Sequence, residues 1–138
     1  MATISHNEDV IDHGTVTRWV TAYETAWRTP GTAGLVDLFT PDATYLHSPY
    51  EDPIVGLDQI GRMWEDEREG ADEIFALSSR IVAVEGATAV VRAEVRYGDP
   101  VEQEYRDLWV IEFDDAEKCR SFEEWPFWPG RPYTARRT

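Results

Sequence analysis

The stretch V101-EQEYRDLWVIEFD-D115 decides how this chain is read. Its residues alternate. Gln103, Tyr105, Asp107, Trp109, Ile111 and Phe113 share one face, while Glu104, Arg106, Leu108, Val110 and Glu112 share the other. Strict alternation over this length predicts a half-buried β-strand, because successive side chains point to opposite sides of a sheet. The large aromatics mark the covered face. That choice also turns Asp107 inward, between Tyr105 and Trp109, where a carboxylate needs a partner or a shifted pKa.

Around this strand lie similar runs. EIFALSSRIVAVEG, ATAVVRAEVRYG and KCRSFEEWPF are rich in β-branched and aromatic residues, and short turns separate them. They predict hairpins and a mainly antiparallel sheet. Alternation leaves two strands undecided. Val91, Ala93, Val95 and Tyr97 oppose Arg92, Glu94 and Arg96, a charged set that also suits a cross-strand ladder. In the last strand each face carries one aromatic and one acid. Upstream, Val16, Trp19, Val20, Tyr23, Ala26 and Trp27 recur at helical spacing. Leu35 to Phe39 suits a short second helix, residues 42–47 a short strand, SPYEDPIVG a loop, and 57–69 a third helix with Ile60, Met63 and Trp64 on one face. Helices first and strands afterwards predict an α+β fold: a curved, cone-shaped, mainly antiparallel sheet with three N-terminal helices on its concave face. Residues 1–13 are expected to be a flexible leader and 14–138 a single domain. An open cone mouth would be a natural ligand site.

Composition narrows the function. The chain has 138 residues, 42% of them hydrophobic, and a net charge of −14. So acidic a surface repels phosphate backbones and anionic lipid, which argues against nucleic acid and membrane as partners. The single cysteine, Cys119, cannot form an internal disulfide and reads as structural. With a polar N-terminus lacking an apolar targeting core, it suggests a cytoplasmic protein. No zinc-type Cys pair, His-x-x-x-His or phosphate loop is present, so neither metal nor cofactor is expected. His47 ends the short strand just before a Pro-containing turn. It suits a base at a pocket mouth, a histidine bonded to turn backbone, or an exposed residue.

AYETAW, LVDLFTPDATYLHSPYEDPIVGLDQI, YRDLWVIEFDD and FEEWPFWP together resemble the SnoaL-like branch of the nuclear transport factor 2-like superfamily, over about Thr15 to Pro129. The resemblance implies the cone fold, a small-molecule ligand and, as in many members, a homodimer. The superfamily spans ketosteroid isomerase, dehydratases, hydrolases, polyketide cyclases and plain binding modules, so fold alone selects no reaction. DATYLHSPY is similar to the ketosteroid isomerase segment DATVEDPF. That similarity puts His47 at the general-base position and Tyr23 at the oxyanion-binding tyrosine. Trp109 occupies the place of the second oxyanion donor, with Asp107 one step outward on the same face. It also favours Phe122 and Glu124 as inward. The candidate catalytic set is therefore His47, Tyr23 and Asp107, with Asp107 either orienting His47 or acting as an acid. Trp27, Tyr45, Trp64, Tyr105, Trp109, Phe122 and Glu124 are expected to contact the ligand. The implied chemistry is cofactor-independent proton transfer on a small apolar or cyclic carbonyl compound. A non-catalytic binding module and a dimerisation domain are the alternatives.

Overall fold

A computed structural model describes residues 10–68 and 73–130. The chain orders itself as α1 (His13–Arg28), α2 (Leu35–Leu38), β1 (Phe39–Leu46), β2 (Ile54–Val55), α3 (Leu57–Glu67), β3 (Phe75–Glu85), β4 (Thr88–Tyr97), β5 (Gln103–Phe113) and β6 (Cys119–Phe127). The strands form a six-stranded sheet in the order β2-β1-β6-β5-β4-β3. All neighbours are antiparallel except β1 and β6, which run parallel. The helices cover the concave face, as the α+β reading expected.

Several boundaries move. The expected leader gives up its last residues to the fold: Ile11 is buried, its N–H donates to the Gly86 carbonyl at 3.0 Å, and Asp12 caps α1 by accepting from the Thr15 N–H at 2.8 Å. The leader's residues 1–9 and the basic end of the tail lie outside the described residues. The second helix is a single turn, and Phe39 belongs to β1. Pro41 sits inside this strand, where the β1–β6 register shifts between Phe39 and Thr44, so its missing N–H costs no regular ladder bond. Ile54 and Val55, read as loop, pair with Tyr45 and Thr44. Two residues are too few to display a period.

The ambiguous faces resolve through packing. In β4, Ala89, Val91 and Ala93 are fully buried, so the apolar face points inward. In β6, Cys119 and Phe122 are both fully buried although they have opposite parity. A bulge explains this. Phe113 pairs with Cys119, but Glu112 pairs with Ser121, which leaves Arg120 as the extra residue. Past the bulge, Phe122 and Glu124 turn inward.

Phe122 is the hub of the core. Its ring lies 5.7 Å from Tyr23, 4.7 Å from Tyr45, 5.3 Å from Trp109 and 5.8 Å from Trp19. Trp19 is further tied by its indole N–H to the Leu38 carbonyl at 3.0 Å. Arg68, just past α3, closes the helical layer by donating to the carbonyls of Gly31 and Ala26. Truncating a hub of this kind removes packing on several sides at once. Phe122→Ala should cost about 3–5 kcal/mol in denaturant unfolding, and a cost within about 0.5 kcal/mol would contradict its placement in the core.

Candidate functional site

Between the helices and the concave side of β4, β5 and β6 opens a cavity of about 960 Å3. Eight of the expected site residues reach its wall: Tyr23 and Trp27 from α1, Tyr45 and His47 from the end of β1, Tyr105, Asp107 and Trp109 from β5, and Glu124 from β6. Trp64 and Phe122 do not. Both are fully buried core residues, Trp64 packing edge-on against Tyr23 and Trp27. The helical stripe that made Trp64 a candidate is the ordinary signature of a core face.

His47 is 23% exposed in its side chain and meets Glu67 from the last turn of α3, with Nε2 2.8 Å from Oε2. The contact is an ion pair when the imidazole is protonated. Glu67 raises the His47 pKa above 6.5, working against partial burial, and Glu51 adds weakly. This corrects one expectation. The acid that pairs with His47 is Glu67, while Asp107 belongs to a different pair. Nothing in its local sequence sets Glu67 apart from Glu65 or Asp66.

Asp107 lies on the inner face of β5, only 7% exposed. Trp109 pairs with Glu124 across β5 and β6, and Asp107 with Pro126, so Asp107 and Glu124 are diagonal neighbours on one face. Burial pushes Asp107 up to about 6, against the pull of Trp109 and Glu124. Burial, reinforced by Asp107 and Glu67, carries Glu124 well above the usual carboxylate range. Two acids so placed cannot both ionise cheaply, and together they hold a proton near neutral pH. The Trp109 indole N–H and Asp107 Oδ1 nevertheless fall short of hydrogen-bond geometry, and each lacks a partner.

Tyr23 and Tyr45 extend this pair. Their hydroxyls are 3.2 Å apart, and Tyr45 draws the Glu124 pKa down against the effect of burial. Burial raises both phenols well above 10, so they stay protonated and available as donors. Toward the mouth, Trp27 donates to Glu73 at 3.0 Å. Tyr97 and Trp128 complete the aromatic wall beside Tyr105. The sequence reading missed these two as cavity-wall residues. Inward alternation of β4 could have found Tyr97. Trp128 follows the strand and has no period to betray it. Cys119 is buried and its thiol is pushed up by desolvation, as befits a core residue. Among the described residues, no group of three or more His, Cys, Asp or Glu side chains is arranged to hold a metal ion, and no helix is long and apolar enough to cross a membrane.

Comparison with known proteins fits this architecture. The model of the SnoaL-like domain family matches residues 16–120, and the chain belongs to that family. No curated protein matches it significantly. Among solved structures, a Methylobium petroleophilum protein of unknown function with a cystatin-like fold superposes with a TM-score of 0.69 at 17% identity, covering 92% of this chain and 85% of the other. A Kribbella flavida protein described as a "putative ketosteroid isomerase" gives 0.63 at 17% identity, covering 91% and 84%. At such identities the likeness is one of fold.

The site has a thermodynamic signature. Asp107 and Glu124 bind protons more tightly folded than unfolded, so the folded state holds excess protons above about pH 4, and stability falls as pH rises through their folded values. His47 acts in the same direction, since its ion pair is fully present below about pH 6.5 and is lost as pH rises through its raised value. Stability should therefore decline from about pH 5 toward pH 8 by on the order of 1–3 kcal/mol. Glu124→Gln should flatten this slope in urea titrations. A wild-type profile that rises over that range would overturn the assignment of a protonated pair.

Proposed function

We propose that the protein is a cofactor-independent acid–base enzyme acting on a small, largely apolar or cyclic carbonyl compound, of isomerase, dehydratase or cyclase type. One observation carries the reading: two separate proton-handling pairs, His47–Glu67 and Asp107–Glu124, face a single aromatic-walled cavity. Pairs whose environments hold protons differently are the usual basis of acid–base assignment. His47, in its neutral form, takes a proton from carbon beside the carbonyl, and Glu67 stabilises the imidazolium that results. The proton held by Asp107 and Glu124 is donated toward the developing oxygen anion. Tyr23 bonds Tyr45, whose hydroxyl lowers the Glu124 pKa, so Tyr23 is a positioning residue here. Return of the His47 proton to another carbon, as the oxygen's proton goes back to the acid pair and the carbonyl re-forms, completes an isomerisation. Expulsion of a β-hydroxyl, protonated by the acid pair, would complete a dehydration.

Solvent exchange tests this without the natural substrate. Cyclic ketones and enones in D2O should gain deuterium beside the carbonyl in the presence of the protein, and His47→Ala should slow that exchange roughly 100-fold or more. Compounds that bind without any exchange would leave a binding module as the better account.

We also propose a homodimer built on the outer face of the sheet. Leu108, Val110, Trp125 and Phe127 share that face, and Trp125 and Phe127 are substantially exposed. Sedimentation velocity should give about twice the chain mass, and Trp125→Glu should shift it to monomer. A wild-type monomer at micromolar concentration would end this part of the proposal.

A further inference from the structure

The two ring nitrogens of His47 stand in different surroundings. Nε2 is buried, and Glu67 Oε2 lies 2.8 Å from it. Nδ1 is not closed off in this way, and Glu51 Oε1 lies 3.9 Å from it, beyond hydrogen-bond range. The two acids come from different elements. Glu67 ends α3, while Glu51 belongs to the turn after β1, where its own N–H donates to the Ser48 carbonyl at 3.2 Å. His47, Ser48 and Glu51 all line the cavity.

A neutral imidazole carries one hydrogen, and the group against one nitrogen decides the state of the other. A carboxylate oxygen 2.8 Å from a bare Nε2 would set two lone pairs against each other. A hydrogen on Nε2 turns that repulsion into a charge-assisted contact. The lone pair is then left on Nδ1. A base must also reach the proton that it removes. Nε2 is buried with a carboxylate in front of it, whereas the acid facing Nδ1 stands back by 3.9 Å.

We propose that His47 reacts through Nδ1, with Glu67 holding a hydrogen on Nε2 and Glu51 facing the reacting nitrogen as a second positioning residue. This rests on the reading of His47 as the base. The substrate then presents its acidic C–H from the side of Ser48 and Glu51, away from α3. The C–H bond breaks as the Nδ1–H bond forms, and the released electron pair passes to the carbonyl oxygen, which takes the proton of the acid pair. The imidazolium so formed lies between two carboxylates, each of which favours its charge. Glu67 from α3, Glu51 from the turn, and Tyr45 from β1, its ring centroid 5.4 Å away, are the titratable groups that the described residues bring against the imidazole.

Two independent readouts test this on the full chain. In protein labelled with 15N-histidine, the His47 signals are identified by their loss in His47→Ala. At a pH high enough to make His47 neutral, they should show the hydrogen on Nε2. Nδ-methylhistidine placed at position 47 by codon reassignment blocks Nδ1 and leaves Nε2 intact. With folding checked by circular dichroism, it should slow deuterium exchange into cyclic ketones roughly 100-fold or more. Glu51→Gln should move the titration midpoint of the His47 signals down, because one of the two carboxylates is gone. A neutral His47 with its hydrogen on Nδ1, or a methylated protein that keeps a tenth or more of the wild-type exchange rate, would overturn the inference and leave the acid–base reading intact. An unmoved midpoint in Glu51→Gln would overturn the role given to Glu51. Should the methylated protein not fold, the tautomer decides. A wild-type protein that catalyses no exchange would instead end the acid–base reading itself, whatever the tautomer.

Discussion

The pairing of β5 with β6 around the bulge at Arg120 governs the rest of the molecule. Without the extra residue, the face that buries Cys119 would continue through Ser121 and Glu123, and Phe122 and Glu124 would point outward. The bulge reverses parity for everything after it. Phe122 then becomes the hub against which Tyr23, Tyr45, Trp109 and Trp19 pack, and Glu124 comes to lie diagonally from Asp107. The hydrophobic core and the acidic site are consequences of the same register.

This arrangement sets stability against chemistry. The aromatic core supplies apolar burial, the dominant favourable term in folding. Against it stands a carboxyl pair desolvated on the sheet face, where burial raises both pKa values. Two buried leucines in those places would be a simpler solution for the fold alone. A cost of this kind is tolerated where a site needs proton-holding groups near neutral pH, and such suboptimal positions are characteristic of functional pockets. The distribution of charge fits as well. The acidic character of the whole surface continues into the cavity, which gives the wall a sign as well as a shape.

Much of this was legible in the residues. Alternation in 103–113 placed Asp107 inward with the aromatics, and family resemblance placed His47, Tyr23 and Glu124 at one site; all four line the cavity. What failed did so for identifiable reasons. Trp64 and Phe122 have the composition of ligand contacts, but depth in the core depends on what packs above them, and several rings cover both. Glu67 carries no local mark because its role comes from the angle at which α3 crosses the end of β1. Asp107 was a plausible partner for His47 on grounds of chemistry, yet Glu67 is the acid that the fold brings against the imidazole.

The sequence by itself determined the α+β class, the number and order of the long elements, the inward face of β5, and a surface unsuited to phosphate. These follow from periodicity and composition, which are properties of neighbouring residues. Only the tertiary structure decided which acid met the imidazole, that Asp107 and Glu124 shared one environment, and that Tyr97, Tyr105 and Trp128 met along one stretch of the cavity wall. Each of those joins residues from different elements, and their meeting depends on a one-residue bulge, a helix crossing and a strand register that no local pattern encodes.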